Sequence, residues 1–208
     1  MNSTKTAVSH LARGRLIAVE GTCGPDLAAA AKRLARAVRD AGSAGGVSGW
    51  DSSGIFTELV AVEPGTPAPS ARTLTLLYAA DLAFRLRWQI HPALEEGQSV
   101  VAAPYIHSAM ALGIAAGLSK GWLTALFHFA PKPHVSYRIG ERADRGKAGT
   151  TGGYAEFFCS ALGASGDAID LPGLRKRSVE YLRGLDRRHR CQMLTGRAIT
   201  ALGRRRTL

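Results

Sequence analysis

Apolar and polar positions change their period along the chain, and each change predicts an element. Leu16 to Val19 is a continuous apolar run closed by Glu20 and Gly21, as in a parallel strand buried on both faces. From Asp26 to Gly42 the spacing of Leu27, Leu34 and Val38 is helical, with Asp26 as N-cap and Gly42 as stop. Gly42 to Ser53 is rich in Gly and Ser and reads as a loop around Trp50. Glu58 to Val62 reads as a second strand, ended by Glu63-Pro64-Gly65. Leu76, Leu77, Ala80, Ala83, Phe84, Trp88 and Ile90 predict one long helix from Thr73 to Leu94, with Pro92 near its end. Gln98 to Ala103 and His134 to Ile139 read as strands, with helices over Ser108 to Gly117 and from Leu118 or Lys120 to Phe129 between them. Glu141 to Tyr154 has loop composition, and Leu174 to Arg190 predicts an amphipathic helix with Leu174, Ser178, Tyr181, Leu182 and Leu185 on one face. Strands alternating with helices predict an α/β fold of three layers, a central parallel sheet flanked by helices.

A chain of 208 residues, 46% hydrophobic, suits one domain, taken here as 15–200 between a short leader (1–14) and a basic tail (201–208). No apolar run approaches the ~20 residues of a membrane span, and the leader lacks the apolar stretch of a signal peptide. Cys23, Cys159 and Cys191 form neither a disulfide framework nor a zinc spacing, which points to the cytoplasm. His91, His128, His134 and His189 fall on different elements, so neither a metal nor another cofactor is expected. The net charge of +11 is concentrated between Pro172 and Leu208, where eleven Lys or Arg face two acids. Only Tyr181 is there to stack on a base, so the pattern reads as a solvated Arg face rather than a nucleic-acid surface.

Candidate chemistry begins at the first strand, turn and helix. A phosphate-binding loop there needs G-x-x-x-x-G-K-[ST]: glycines that expose N–H groups, a Lys on the phosphates and a hydroxyl on Mg²⁺. The chain has Gly21-Thr22-Cys23-Gly24-Pro25-Asp26-Leu27-Ala28. Gly21 and Gly24 keep the turn, but Asp26 stands at the last glycine, Leu27 at the Lys and Ala28 at the hydroxyl, while Pro25 removes a donor. A carboxylate gained and an ammonium lost both oppose a polyphosphate.

Several segments, in order, resemble thymidylate kinases, a P-loop kinase family. Arg15-Leu-Ile-Ala-Val-Glu20-Gly21 is similar to their opening strand, and Glu63-Pro64-Gly65 to their Arg-Glu-Pro-Gly-Gly. Leu76-Leu-Tyr78-Ala-Ala-Asp81-Leu82 is similar to Leu-Leu-Phe-Ala-Ala-Asp-Arg, and Pro92-Ala-Leu-Glu-Glu-Gly97 to the sequence that follows it. Val100-Val-Ala-Ala-Pro104-Tyr105-Ile-His-Ser108 is similar to the Asp-Arg-Tyr segment, and Lys132-Pro133-His134 to Lys-Pro-Asp. The resemblance implies a P-loop kinase-like fold, a homodimer, and Tyr78 as the aromatic that stacks on a base. The departures fall where the family binds phosphate: Val62 and Leu82 replace arginines, and Ala103-Pro104 replaces the Asp-Arg pair. The Gln of the following helix is Gly113 or deleted. The lid region holds Arg142, Arg145 and Lys147 without a lid motif.

These changes predict a protein that is not a nucleotide kinase. They leave a less cationic pocket at the strand ends, lined by Glu20, Tyr78 and Tyr105, with Glu63 and His107 as a candidate acid/base pair. The expected use is binding of a small, mostly apolar or aromatic metabolite, as a cofactor-independent enzyme of specialised metabolism. The alternative is a non-catalytic dimeric scaffold, and a residual nucleoside monophosphate kinase is a remote third. Plainer roles stay open: Glu20 as a brace for the turn, Glu63 bonded within its own turn, His107 on the surface. A closed apolar cavity beside Glu63 and His107 would favour the enzyme; a filled one with an exposed apolar patch would favour the scaffold.

Overall fold

The computed structural model describes residues 14–60, 68–140, 153–164, 170–188, 191–194 and 199. Glu63-Pro64-Gly65, Val62, the lid cations Arg142, Arg145 and Lys147, His189, most of the leader and the whole basic tail lie outside them.

Among the described residues, five parallel strands form one sheet in the order β2-β3-β1-β4-β5. They are β1 (Leu16–Glu20), β2 (Gly45–Gly49), β3 (Ser99–Ala103), β4 (Val135–Arg138) and β5 (Cys191–Met193). The helices are α1 (Gly24–Asp40), α2 (Ile55–Val60), α3 (Ala71–Arg85), α4 (His91–Glu95), α5 (Ile106–Ala115), α6 (Lys120–Leu126), α7 (Tyr154–Gly163) and α8 (Leu171–Arg188). Strand residues alternate between two cores. Ile17, Val19, Val101 and Tyr137 face α1 through Leu27, Ala31, Leu34 and Val38. Leu16, Ala18, Val100 and Ala102 belong to the core shared with α3, α5, α6, α7 and α8. Apolar residues on both sides are why the strands read as continuous runs.

The second strand is not where the sequence pattern put it. Glu58 to Val60 is the end of helix α2, because Asp51 accepts from Phe56 N–H (2.8 Å) and Thr57 N–H (3.0 Å) and so caps a helix over a β-prone run. The strand instead lies in the glycine-rich stretch, where Gly45 to Gly49 pair residue by residue with Ser99 to Ala103. Gly45 is needed there, since a Cβ would sit 2.9 Å from Val38 Cγ1 of α1. The long predicted helix is interrupted by a π-helical turn, Leu86–Ile90, before α4. His91 N–H reaches back to the Leu86 carbonyl, and the wider turn precedes Pro92, which has no N–H to donate. Of the face predicted for α8, Leu174, Ser178, Leu182 and Leu185 are buried and Tyr181 is half-buried. Helix α7 and strand β5 fall where the sequence reading assigned no element.

Candidate functional site

At the carboxyl end of β1 only Gly21, Thr22 and Cys23 separate strand from helix. Asp26 is therefore in the first turn of α1 rather than its N-cap, which is Cys23, with no side-chain capping bond. Pro25, whose fixed φ suits the first helical positions, starts the helix early. Three N–H groups at this turn and the start of α1 are engaged. Leu27 N–H donates to the Cys23 carbonyl (2.9 Å), Gly21 N–H to Ser108 Oγ (3.0 Å), and Gly24 N–H to Glu156 Oε1 of α7 (2.9 Å). Leu27 is buried in the α1 core. Gly21 has no room for a side chain, because a Cβ would lie 2.6 Å from Ile139 Cγ1. Burial raises the Cys23 thiol above its ordinary value.

Glu20 is wholly buried and braces α5. Its Oε1 accepts from His107 N–H (3.1 Å), and its Oε2 accepts from Ser108 N–H (2.9 Å) and the Ser108 hydroxyl (2.7 Å). A carboxylate at a helix N-terminus, holding donors that helix cannot satisfy itself, is a strong local arrangement. It leaves Glu20 bound on both oxygens. His107 is half-buried in the first turn of α5, and Glu63 lies outside the described residues.

Tyr78 and Tyr105 are also buried. The Tyr78 hydroxyl donates to the Tyr105 carbonyl (2.7 Å), and the Tyr105 hydroxyl to the Pro131 carbonyl (2.7 Å). Burial pushes both phenols well above the usual tyrosine value. The Tyr154 ring lies 4.4 Å from that of Tyr78, and Trp50, Phe56, Phe157 and Phe158 extend the packing around Tyr154. Of the two aromatic side chains expected to border a cavity, Tyr78 packs on Tyr154 and Phe127, and Tyr105 is buried with its hydroxyl on the Pro131 carbonyl.

Sequence reasoning missed Arg85, which is wholly buried. Its Nε donates to Ser48 Oγ (3.1 Å) and its Nη2 to the carbonyls of Ser48 (3.2 Å) and Pro104 (2.9 Å). Nη1 stands 3.7 Å from Asp81 Oδ2. Asp81 in turn accepts from Ser53 N–H (3.0 Å) and hydroxyl (2.9 Å). Arg85 comes three residues after Leu82, on the same buried face of α3, so a cation does remain at the strand ends. That i, i+3 relation was the available signal.

Among the described residues, no three His, Cys, Asp or Glu side chains gather as a metal site. An open hollow of about 610 Å³ lies along α6, beside Lys120, Thr124 and His128. No described helix is long and apolar enough to cross a membrane.

The parallel five-stranded sheet, its flanking helices and the turn after β1 define an α/β protein of P-loop kinase-like fold. More particularly, the chain is thymidylate-kinase-like. It is 43% identical over 61 residues to a probable thymidylate kinase of Pyrococcus abyssi, covering 29% of this chain and 30% of that protein. It is 40% identical over 64 residues to one of Thermococcus kodakarensis, covering 31% of each chain. With the probable thymidylate kinase 2 of Saccharolobus solfataricus it shares 27% identity over 130 residues, 61% of this chain and 59% of the relative. The chain thus spans under two thirds of the length of each of these relatives. No family model matches it.

Proposed function

We propose that this protein keeps the thymidylate-kinase-like fold with a degenerate phosphate loop, does not phosphorylate nucleotides, and works as a non-catalytic dimeric scaffold. One observation carries the reading: the Gly21 and Gly24 N–H groups at the turn after β1 are held by the protein's own Ser108 and Glu156 side chains, with Leu27 in the core where the loop pattern needs Lys. Phosphoryl transfer relies on positioned cations and Mg²⁺ around the phosphates, and the positions that supply the Lys and the Mg²⁺-binding hydroxyl in the loop pattern are Leu27 and Ala28. An enzyme for an aromatic metabolite would want an open apolar space at the strand ends; the packing of Tyr78, Tyr154 and Phe127 favours the scaffold instead. A second copy would meet the exposed apolar strip of Leu76, Phe84 and Trp88. Isothermal titration with ATP·Mg²⁺ and with dTMP tests the central claim. Neither is expected to release binding heat, and micromolar binding of ATP would overturn the proposal.

A further inference from the structure

We infer that the first turn of α7 is a built-in occupant of two places at the strand ends, the old phosphate loop and the old base-stacking position: Glu156 stands in for a phosphate at the first and Tyr154 for a base at the second. The inference rests on the reading of the protein as a non-kinase and supplies its cause in this chain.

Three features of one short segment support it. The first is charge. Gly24 opens the 17-residue helix α1, and its N–H is a donor that the helix cannot satisfy itself. Such a terminus attracts anions. Glu156 Oε1 accepts from it at 2.9 Å, while Glu156 Oε2 is buried with no hydrogen-bond partner among the described residues. A carboxylate left half-satisfied is held in place by the helix end it faces, as a bound anion would be.

The second feature is close approach. Gly153, at φ 154°, leads into α7, and a Cβ there would lie 2.7 Å from Gly24 Cα. Backbone meets backbone where a phosphate would otherwise lie against the turn. The third is ring contact, with the Tyr154 and Tyr78 planes tilted at 43°. Tyr154 is buried, its ring is 4.4 Å from that of Tyr78, and its hydroxyl donates to the Leu74 carbonyl (3.3 Å). Residues two apart on a helix point about 200° from each other. One turn can therefore send Glu156 towards α1 and Tyr154 towards α3, and α7 does contact both helices.

Side-chain analogues test this directly. In Glu156→Ala the Gly24 amide resonance should move and the Tm should fall by about 3 to 6 °C, consistent with loss of one charge-assisted contact in a chain of this size. Acetate at tens of millimolar should restore part of both in the variant and leave the wild type unchanged. In Tyr154→Ala, p-cresol should raise the lowered Tm, as small aromatics fill apolar cavities. An unmoved Gly24 resonance in Glu156→Ala, or analogue effects equal in variant and wild type, would overturn the inference. Should the variants not fold, hydrogen exchange of Gly24 in the wild type decides: protection of at least tenfold is expected, and exchange at the unprotected rate overturns it. ATP binding by the wild type would instead strike the non-kinase reading, so the two failures are distinct.

Discussion

Arg85 shows how much a single side chain contributes here. Its guanidinium joins β2, through Ser48, to the Pro104 carbonyl that follows β3, and it faces Asp81 within its own helix. Arg85→Met would leave those acceptors and the Asp81 carboxylate buried without their cation. Loss of one partner from a buried ion pair destabilises by about 3 to 5 kcal/mol. Urea unfolding should show the midpoint falling with little change in slope. The buried phenols make a second prediction, in pH. Tyr78, Tyr105 and Tyr154 all have raised values, with burial the largest cause. A group raised in the folded state stabilises fully below its unfolded value and loses that contribution above it. Stability should therefore fall from about pH 10 upwards, by about 1.4 kcal/mol per pH unit for each fully buried phenol, and the Cys23 and Cys159 thiols should start the decline earlier. Urea midpoints measured at successive alkaline pH values check it, and Tyr154→Phe should make the slope shallower.

At the scale of elements, legibility depended on whether a segment's pattern is its own or is imposed from elsewhere. β1, β3, α1 and α8 were readable because their apolar periods mirror the two cores they face. β2 was hidden because its pairing with β3 uses backbone alone, and Gly45 admits the close approach of Val38. α2 was misread because the deciding group, Asp51, lies before the run whose pattern resembled a strand. The phosphate turn was legible as chemistry, but what closes it was not: Glu156 is 132 residues from Gly24 in sequence. Phe158 and Leu162, four apart and both buried, were the local sign of α7. The way α7 docks yields a prediction at this scale. Gly153→Ala would press a methyl against Gly24 Cα at 2.7 Å, so helix or turn must shift. A loss of about 1 to 3 kcal/mol is expected. The check is urea unfolding together with limited proteolysis, in which α7 should be cut sooner than in the wild type.

For the molecule as a whole, the question is what the exterior is for once the interior is closed. Leu76, Phe84 and Trp88 are 46%, 38% and 64% exposed, and spacings of eight and four residues align them along α3 and its π-helical turn. Ala80, also exposed, fills the gap between Leu76 and Phe84, so the apolar strip is continuous. Arg87 lies over the Trp88 ring at 5.5 Å and places a cation at its margin. Two copies meeting strip to strip would bury these side chains in an isologous contact, the commonest form of oligomer. The net charge of +11 opposes that contact at long range, which fixes the sign of its salt dependence. Raising ionic strength from about 50 mM to about 500 mM shortens the screening length several-fold, so association should strengthen with salt. A contact held by ion pairs would weaken instead. Sedimentation equilibrium should give a dimer mass for the wild type, with the dimer fraction rising with salt. Phe84→Glu combined with Trp88→Glu should give a monomer whose Tm stays near that of the wild type at low protein concentration, because both side chains already face solvent there. A wild type that remains monomeric at high salt and tens of micromolar protein would overturn the dimer, while leaving the closed turn after β1 untouched.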